Sequence, residues 1–365
     1  MKIVRFFLAL VATVAGLSLA FPVAAAWLVF WVIAGFTRVG ARLFEPAILA
    51  SDQLVHFTPV IGWRPRPNLN AHYLTTVRDG TFHVLTDSEG WPDKQPISDA
   101  NIVVFGDSYA FGYGVDAGAT FWRCADRARM KAIGAPGYNM VQELLLMREL
   151  AGQLAGKLVI WFVYFGNDLY DNLLPNNRHY RTPFLRLNKD SRSWQITSDH
   201  VSPRKWPNRS VPDYYAKLAE LCCTTFLAER AYSACDFLIT EGKKTCEAAG
   251  AKLVLMTIPD VVQLTEHGQK QLAAIASDRD SFDANRPDNN FHEIACRLGV
   301  PIVPLTKHLT ASHYKEKDPH WNRRGHQKVA ELIENTWRRM QIDPNASAAR
   351  LIPSQQELVP AVSTV

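Results

Sequence analysis

Two segments of the sequence carry side chains that can support nucleophilic catalysis at a carbonyl group. Ser108 lies in FGDSYAFG, directly after the apolar run at 102–105. Asp318 and His320 lie in KDPHWN, where an extended Asp-Pro-His places both side chains on one side of the chain. An attacking serine needs a base, a group that orients the base, and donors for the developing oxyanion. The spacing makes Ser108 a candidate nucleophile, His320 a candidate base and Asp318 its orienting carboxylate.

Two further segments hold candidate oxyanion donors. Gly137 in GAPGYNM precedes a predicted helix with Asn139 as its N-cap, and a backbone N–H at such a place has no partner within the helix. Asn167 in YFGNDLYDN follows the longest apolar run, 158–165, and its side-chain amide is a neutral donor. The structural alternatives are an ordinary turn at the serine, a turn glycine at 137 and a helix cap at 167.

Other chemistries find little support in the spacing. A metal pair of His320 and His326 has no further ligands at a recognised spacing, and His326 is interpreted as structural. The glycines around Ser108 match neither a dinucleotide fingerprint nor a P-loop. None of the six cysteines forms a Cys-x-x-Cys pair, and the net charge of +5 comes from scattered basic residues. The sequence therefore implies no metal, no organic cofactor and no nucleic-acid partner.

Several apolar runs predict the strands that position these residues. The runs are continuous, which favours strands buried on both faces of a parallel sheet; they are IVVF (102–105), LVIWFVYF (158–165), LVLMTI (253–258) and VPIVPL (300–305). Helical patterns separate them, including one that starts with a capping box of Asn139 and Gln142. Alternating strands and helices predict a doubly wound α/β fold. Ligands bind outside the carboxyl ends of such strands, where Ser108 is expected to lie.

The first 44 residues predict a membrane anchor. No charged residue occurs between Arg5 and Arg38, a run well beyond the ~20 residues that cross a bilayer. A retained anchor is favoured over a cleaved signal peptide, because the apolar run continues past the candidate cleavage sites. Pro22 either kinks one long helix or divides two short ones, so the side of the membrane that holds the remaining chain stays open.

The rest of the chain divides by composition. Residues 45–100 predict a loop-rich lead-in with one short strand at 81–86, and residues 342–365 predict a disordered tail. A polar, Pro-rich insertion at about 171–212 interrupts the main domain, 101–341. Long insertions of this kind are either substrate rims and lids or disordered segments.

FGDSYAFG, APGYN, FGND and DPHWN followed by GH together resemble the SGNH/GDSL hydrolase superfamily, and in particular a membrane-anchored bacterial member. The resemblance covers roughly residues 100–341. It implies a three-layer α/β/α sandwich with a parallel sheet (the flavodoxin-like SGNH hydrolase fold), here preceded by an N-terminal transmembrane helix. It also implies that Ser108 is the nucleophile, that His320 is the base oriented by Asp318, and that the oxyanion hole is formed by the residues Ser108, Gly137 and Asn167.

Three functions are compatible with this resemblance. The first is a serine esterase that removes O-acyl groups, acetyl above all, from a cell-envelope carbohydrate or lipid. The second is an O-acyltransferase onto a glycan, since the Asp-x-His spacing resembles a branch of alginate O-acetylation proteins. The third is a non-catalytic glycan- or lipid-binding domain that serves a membrane-protein partner. The expected location is the bacterial inner membrane, with the catalytic domain on the extracytoplasmic side.

Overall fold

A computed structural model describes most of the chain after the predicted anchor. The described residues are 53–75, 80–177, 180–188, 190, 193–202 and 214–342. They all belong to the second of two units, Leu49–Val365. The anchor predicted over residues 1–44, and the predicted tail after residue 342, lie outside the described residues. Within the described ranges, no helix has both the length and the apolarity needed to cross a bilayer.

A five-stranded parallel sheet forms the centre of the fold. Its strands are β5 (Ile102–Gly106), β6 (Met130–Gly134), β7 (Leu158–Tyr164), β12 (Lys252–Ile258) and β13 (Ile302–Pro304). They lie in the order β6-β5-β7-β12-β13, and every neighbouring pair is parallel. Counted within the sheet, this is the order 2-1-3-4-5 of flavodoxin-like folds, whose switch point lies between the first and third strands. The predicted parallel α/β sheet is therefore confirmed.

Helices cover both faces of the sheet. They are α1 (Ser108–Phe111), α2 (Phe121–Cys124), α3 (Met140–Glu149), α4 (Asp168–Asp171), α5 (Tyr214–Leu221), α6 (Phe226–Ala248), α7 (Glu266–Ile275), α8 (Arg286–Leu298) and α9 (Arg323–Ile342). Successive side chains of a strand point to opposite faces. Val103 and Phe105 accordingly join a core with α3, α6 and α8, whereas Val104 joins a second core with α2 and α9. This arrangement is the predicted three-layer sandwich.

The edge strand β6 was not among the four predicted strands. Lys131 interrupts its apolar pattern, MKAIG, although this side chain is only 1% exposed. Its ammonium group donates to Asp87 Oδ2 at 2.6 Å and to the carbonyl oxygens of Pro92 and Asp93, both at 3.1 Å. A lysine can be buried where such partners satisfy its charge. Because those partners come from the lead-in, the local sequence gave no sign of a strand.

The lead-in has more regular structure than the sequence predicted. It forms two antiparallel hairpins, β1 (Val55–Thr58) with β2 (Gly62–Pro65) and β3 (Asn70–Leu74) with β4 (Thr81–Leu85). The predicted strand at 81–86 corresponds to β4. Trp63 and Trp91 bury their rings against the main domain and so hold the lead-in on it.

The insertion also contains hairpins. Short strands β8 (Asn176–Asn177) and β9 (Tyr180–Arg181) pair, as do β10 (Phe184–Leu187) and β11 (Trp194–Thr197). The second hairpin is fastened to the end of helix α4, since the N–H of Leu185 in β10 donates to the carbonyl oxygen of Asn172 at 2.7 Å. The described part of the insertion thus forms regular structure that contacts the main domain. Residues 203–213 lie outside the described residues.

Candidate active site

Ser108 begins helix α1 immediately after the central strand β5. Asp107 caps this helix, and its Oδ1 accepts a hydrogen bond from the N–H of Tyr109 at 2.9 Å. The helix lies close to the sheet because two glycines leave room for it: a Cβ on Gly134 would lie 2.4 Å from Gly106 O and 2.8 Å from the Cβ of Ala110. Ser108 is therefore held at the carboxyl edge of the sheet, 5% exposed.

The structure brings His320 to this serine from the other end of the chain. His320 Nε2 lies 2.8 Å from Ser108 Oγ, a hydrogen-bonding distance. On the other side of the ring, His320 Nδ1 hydrogen-bonds Asp318 Oδ1, which also accepts the backbone N–H of His320 at 2.9 Å. The rings of Tyr109 and Tyr113 flank the imidazole, with centroids at 5.1 and 4.8 Å. The imidazole thus has a fixed orientation between a hydroxyl and a carboxylate.

The environment of Asp318 favours its ionised form. Burial by itself would raise the pKa of this carboxyl, but the hydrogen bonds and charge of His320 outweigh it and lower the pKa. An ionised Asp318 accepts the Nδ1–H of His320, which leaves Nε2 free to accept a proton from Ser108. This is the protonation pattern that a serine nucleophile and its base require.

Gly137 and Asn167 lie at the neighbouring strand ends. Gly137 occupies the turn between β6 and α3 with φ of +81°, a left-handed conformation that glycine adopts without strain. Asn167 follows β7, and its Nδ2 donates to Tyr138 O at 3.4 Å. Among the described residues, the backbone N–H groups of Ser108 and Gly137 donate no hydrogen bond. Ser108, Gly137 and Asn167 thus follow the adjacent strands β5, β6 and β7 at one edge of the sheet.

Asp107 lies beside the nucleophile without sharing the role of Asp318. Its Oδ2 is 3.3 Å from Ser108 Oγ, but no histidine ring nitrogen donates to its carboxyl among the described contacts. Burial raises the pKa of Asp107, although the hydrogen bond from the Tyr109 backbone opposes the shift. The carboxyl orients its neighbours, since it accepts hydrogen bonds from the Tyr109 N–H at the start of α1 and from the Ser108 hydroxyl.

His326 is separate from the site. Its ring is 1% exposed, and Nδ1 accepts the backbone N–H of Phe121 at 3.2 Å. Burial is the main cause that lowers the pKa of His326 to about 3, so this ring is neutral at physiological pH. These contacts agree with the structural interpretation of His326.

Sequence reasoning missed a cluster of hydroxyl groups near the base. Tyr164 and Tyr214 both donate to Asp260 Oδ2, at 2.6 and 2.5 Å, and their two hydroxyls contact each other. The ring of Tyr164 packs on that of Tyr109, which in turn packs on His320. Tyr164 lies within the run at 158–165, Asp260 follows the run at 253–258, and Tyr214 follows the insertion, so no motif links them. Of the aromatic residues in this group, Tyr109 alone is adjacent in sequence to a predicted site residue, Ser108.

Comparisons with known proteins give only distant structural likenesses. No protein-family model matches the chain, and no curated protein matches it. Three solved structures that resemble it are TesA, a GDSL-like lipase from Bacteroides thetaiotaomicron VPI-5482, and a putative acylhydrolase from Bacteroides fragilis NCTC 9343. TesA is 12% identical with a TM-score of 0.36, and the likeness covers 67% of this chain and 99% of that one.

The other two likenesses are similar in extent. The lipase is 13% identical with a TM-score of 0.35, covering 68% of this chain and 92% of its own. The acylhydrolase is 14% identical with a TM-score of 0.34, covering 68% and 90%. The lipase carries the GDSL designation of the superfamily that the sequence motifs resemble. At these identities and TM-scores the likenesses supply no argument about activity, which rests on the geometry of the site.

Proposed function

We propose that this chain is a serine esterase of the SGNH type. The observation that carries the proposal is the arrangement of three side chains: Ser108 Oγ lies 2.8 Å from His320 Nε2, and Asp318 binds the opposite nitrogen of the same ring. A buried serine so paired with a base that is itself oriented by a carboxylate is arranged for nucleophilic attack.

In the proposed acylation step, Ser108 Oγ attacks the ester carbonyl carbon while His320 Nε2 accepts the hydroxyl proton. The carbonyl oxygen becomes an oxyanion, and the N–H groups of Ser108 and Gly137 and the Asn167 amide donate to it. The bond to the leaving alcohol then breaks, and His320 gives its proton to that alcohol. The product is an acyl-serine and a neutral imidazole.

Deacylation repeats these steps with water. His320 removes a proton from the water, whose oxygen attacks the acyl carbon, and the oxyanion forms again at the same donors. When the bond to Ser108 breaks, His320 returns the proton to Oγ. A carboxylic acid leaves and the free enzyme is restored.

For the substrate we propose O-acyl esters, mainly acetyl, on a carbohydrate or lipid of the cell envelope. The uncharged run between Arg5 and Arg38 supports this, because a retained anchor would keep the domain near membrane and envelope polymers. We also propose the extracytoplasmic side of a bacterial inner membrane for the catalytic domain, because a single crossing by this run would put the rest of the chain outside the cytoplasm.

Transfer to a glycan hydroxyl is the second candidate. The spacing Asp318-Pro-His320 favours it through its resemblance to alginate O-acetylation proteins. Both reactions share the acyl-serine, and they differ only in whether water or a sugar hydroxyl attacks it.

The deciding experiment follows the reaction of the full-length protein with p-nitrophenyl acetate and longer-chain esters. We expect turnover that Ser108→Ala and His320→Ala reduce by at least about 10³-fold, because members of such a triad act as a unit. Ser98→Ala and His292→Ala change an exposed serine and an exposed histidine and serve as matched controls.

Each outcome separates the candidates. Turnover of p-nitrophenyl acetate that depends on Ser108 supports the esterase. An acyl-Ser108 that accumulates without turnover, detected by mass spectrometry, favours transfer. If neither turnover nor acylation is observed, both enzymatic proposals are overturned, and the non-catalytic binding domain becomes the better account.

A further inference from the structure

The turn that carries Gly137 can adopt two orientations of one peptide plane. The N–H of Tyr138 donates to Ala135 O at 3.2 Å, Pro136 stands at the second position and Gly137 at the third, with φ of +81°. These are the marks of a type II turn. Rotating the central peptide, Pro136–Gly137, converts type II to type I and reverses the direction of the Gly137 N–H. An oxyanion donor at Gly137 therefore requires contacts that select one of these two orientations.

Trp63 of the lead-in binds this central peptide directly. Its Nε1 donates to Pro136 O at 3.2 Å, and the indole is 2% exposed. Since C=O and N–H of a trans peptide point in opposite directions, this bond directs the Gly137 N–H away from Trp63. The contact is reciprocal, because the hydroxyl of Tyr138 donates to Trp63 O at 2.6 Å.

Asn177 of the insertion binds the next peptide. Its Nδ2 donates to Gly137 O at 3.0 Å and to Asp171 Oδ2 at 2.9 Å. Lys217 in turn donates to Asp171 Oδ1 at 3.1 Å, so Asn177 is held by a buried ion pair. The two peptide planes that flank Gly137 are therefore each fixed by a side chain from outside the sheet and its helices.

We infer that Trp63 and Asn177 are positioning residues that hold the Gly137 N–H toward the oxyanion. This inference rests on the proposed function and extends it: the lead-in and the insertion each supply one support of the oxyanion hole. A donor contributes only when it is aimed at the position of the oxyanion, and small displacements of catalytic groups have large effects on rate. Loss of either support lowers the rate of acylation while leaving substrate binding nearly unchanged.

The test uses substitutions that remove only the donor. Trp63→Phe keeps an aromatic ring but removes Nε1–H, and Trp91→Phe is its matched control. Trp91 is also in the lead-in and 1% exposed, and its Nε1 has no hydrogen-bond partner among the described residues. Asn177→Ala is paired with Asn176→Ala, which changes the preceding residue of the same strand, β8. The second pair keeps the test informative if Trp63→Phe does not fold.

The measurements on the full-length protein are the acylation rate of Ser108 by p-nitrophenyl acetate, the KM, and the affinity for butylboronic acid, which forms a tetrahedral adduct with serine. We expect Trp63→Phe and Asn177→Ala to lower the acylation rate about 10- to 100-fold with little change in KM. The affinity for the boronic acid should fall in parallel, because it resembles the transition state. The two controls should acylate at nearly the wild-type rate.

The failures are distinguishable. If wild-type Ser108 is acylated but each variant matches its control, or if KM rises while the acylation rate holds, the positioning roles are wrong and the esterase proposal stands. If wild-type Ser108 is not acylated at all, the proposed function fails and this inference fails with it.

Discussion

His320 Nε2 lies 2.8 Å from Ser108 Oγ, although 212 residues separate the two in the sequence. The parallel sheet brings them together, because β5 and β13 both direct the following segments to the same edge. The hydroxyl of Tyr109 then donates to Pro319 O at 2.5 Å and joins the residue after the nucleophile to the residue before the base. The pairing is thus fixed by contacts beside it as well as by the fold.

The first prediction concerns the carboxylate behind His320. Asp318→Asn should lower kcat by about 10²- to 10⁴-fold, because an amide no longer fixes the tautomer in which Nε2 accepts the serine proton. KM should change little. Glu316→Gln, an exposed residue two positions earlier, removes the same charge and should leave kcat near its wild-type value. If Asp318→Asn and this control have equal kcat values, Asp318 does not orient the catalytic histidine.

Much of the candidate site could be predicted because each residue follows a recognisable strand or precedes a helix. The run at 102–105 became β5 and that at 158–165 became β7, and the capping box of Asn139 and Gln142 is present at the start of α3. Continuous apolar runs are a strong signal for strands buried on both faces.

The supports of the site could not be predicted in this way. Trp63 and Asn177 donate to backbone carbonyl groups. Every residue has such a group, so the identity of the accepting residue does not reveal the contact in the sequence. Strand β6 was missed because the charge of Lys131 is satisfied only by residues about forty positions earlier. In each case the sequence pattern is local and the deciding contact is distant.

The second prediction concerns the side-chain donor of the oxyanion hole. Asn167→Ala should lower kcat by about 10²- to 10³-fold with little effect on KM, as expected when one donor to an oxyanion is removed. Steady-state kinetics with p-nitrophenyl acetate measure both constants. Asn289→Ala, at an exposed position of α8, is the control. An unchanged kcat in Asn167→Ala would show that this amide does not donate to the oxyanion.

The third prediction concerns stability in acid. The folded state lowers the pKa of His326 to about 3, whereas an unfolded histidine titrates near pH ~6.5. The unfolded chain therefore binds the proton first, and stability falls as the pH decreases from about 6.5 toward about 3, by about 1.4 kcal/mol for each pH unit. His326→Asn keeps an acceptor for the Phe121 N–H but does not titrate, so its stability should depend less on pH in this window.

Denaturant unfolding at several pH values from about 7 down to about 4.5 measures this difference. The variant is expected to be less stable than the wild type near neutral pH, because the stacked ring contact with Phe121 is lost, and to approach or exceed it in acid. His267→Asn replaces an exposed histidine and should keep the wild-type slope. Parallel pH dependences for wild type and His326→Asn would contradict the assignment of a buried neutral ring.

The fourth prediction concerns a buried carboxyl beneath the site. Glu143 accepts the Trp161 indole N–H through Oε2 at 2.6 Å, and Oε1 has no hydrogen-bond partner among the described residues. Burial, together with the charge of Asp107, raises the pKa of Glu143 well above its usual value near 4.5. Its contribution to stability is therefore fully present below pH ~4.5 and is lost as the pH rises through the folded pKa.

Glu143→Gln should remove this loss, because glutamine accepts the same indole hydrogen bond and carries no proton to lose. The melting temperature of the variant relative to wild type should rise between about pH 5 and about pH 8. Glu293→Gln, at an exposed position of α8, should give a difference that is independent of pH. If Glu143→Gln is instead less stable at pH 8 than at pH 5 relative to wild type, Glu143 is ionised in the folded protein and stabilises it as a charge.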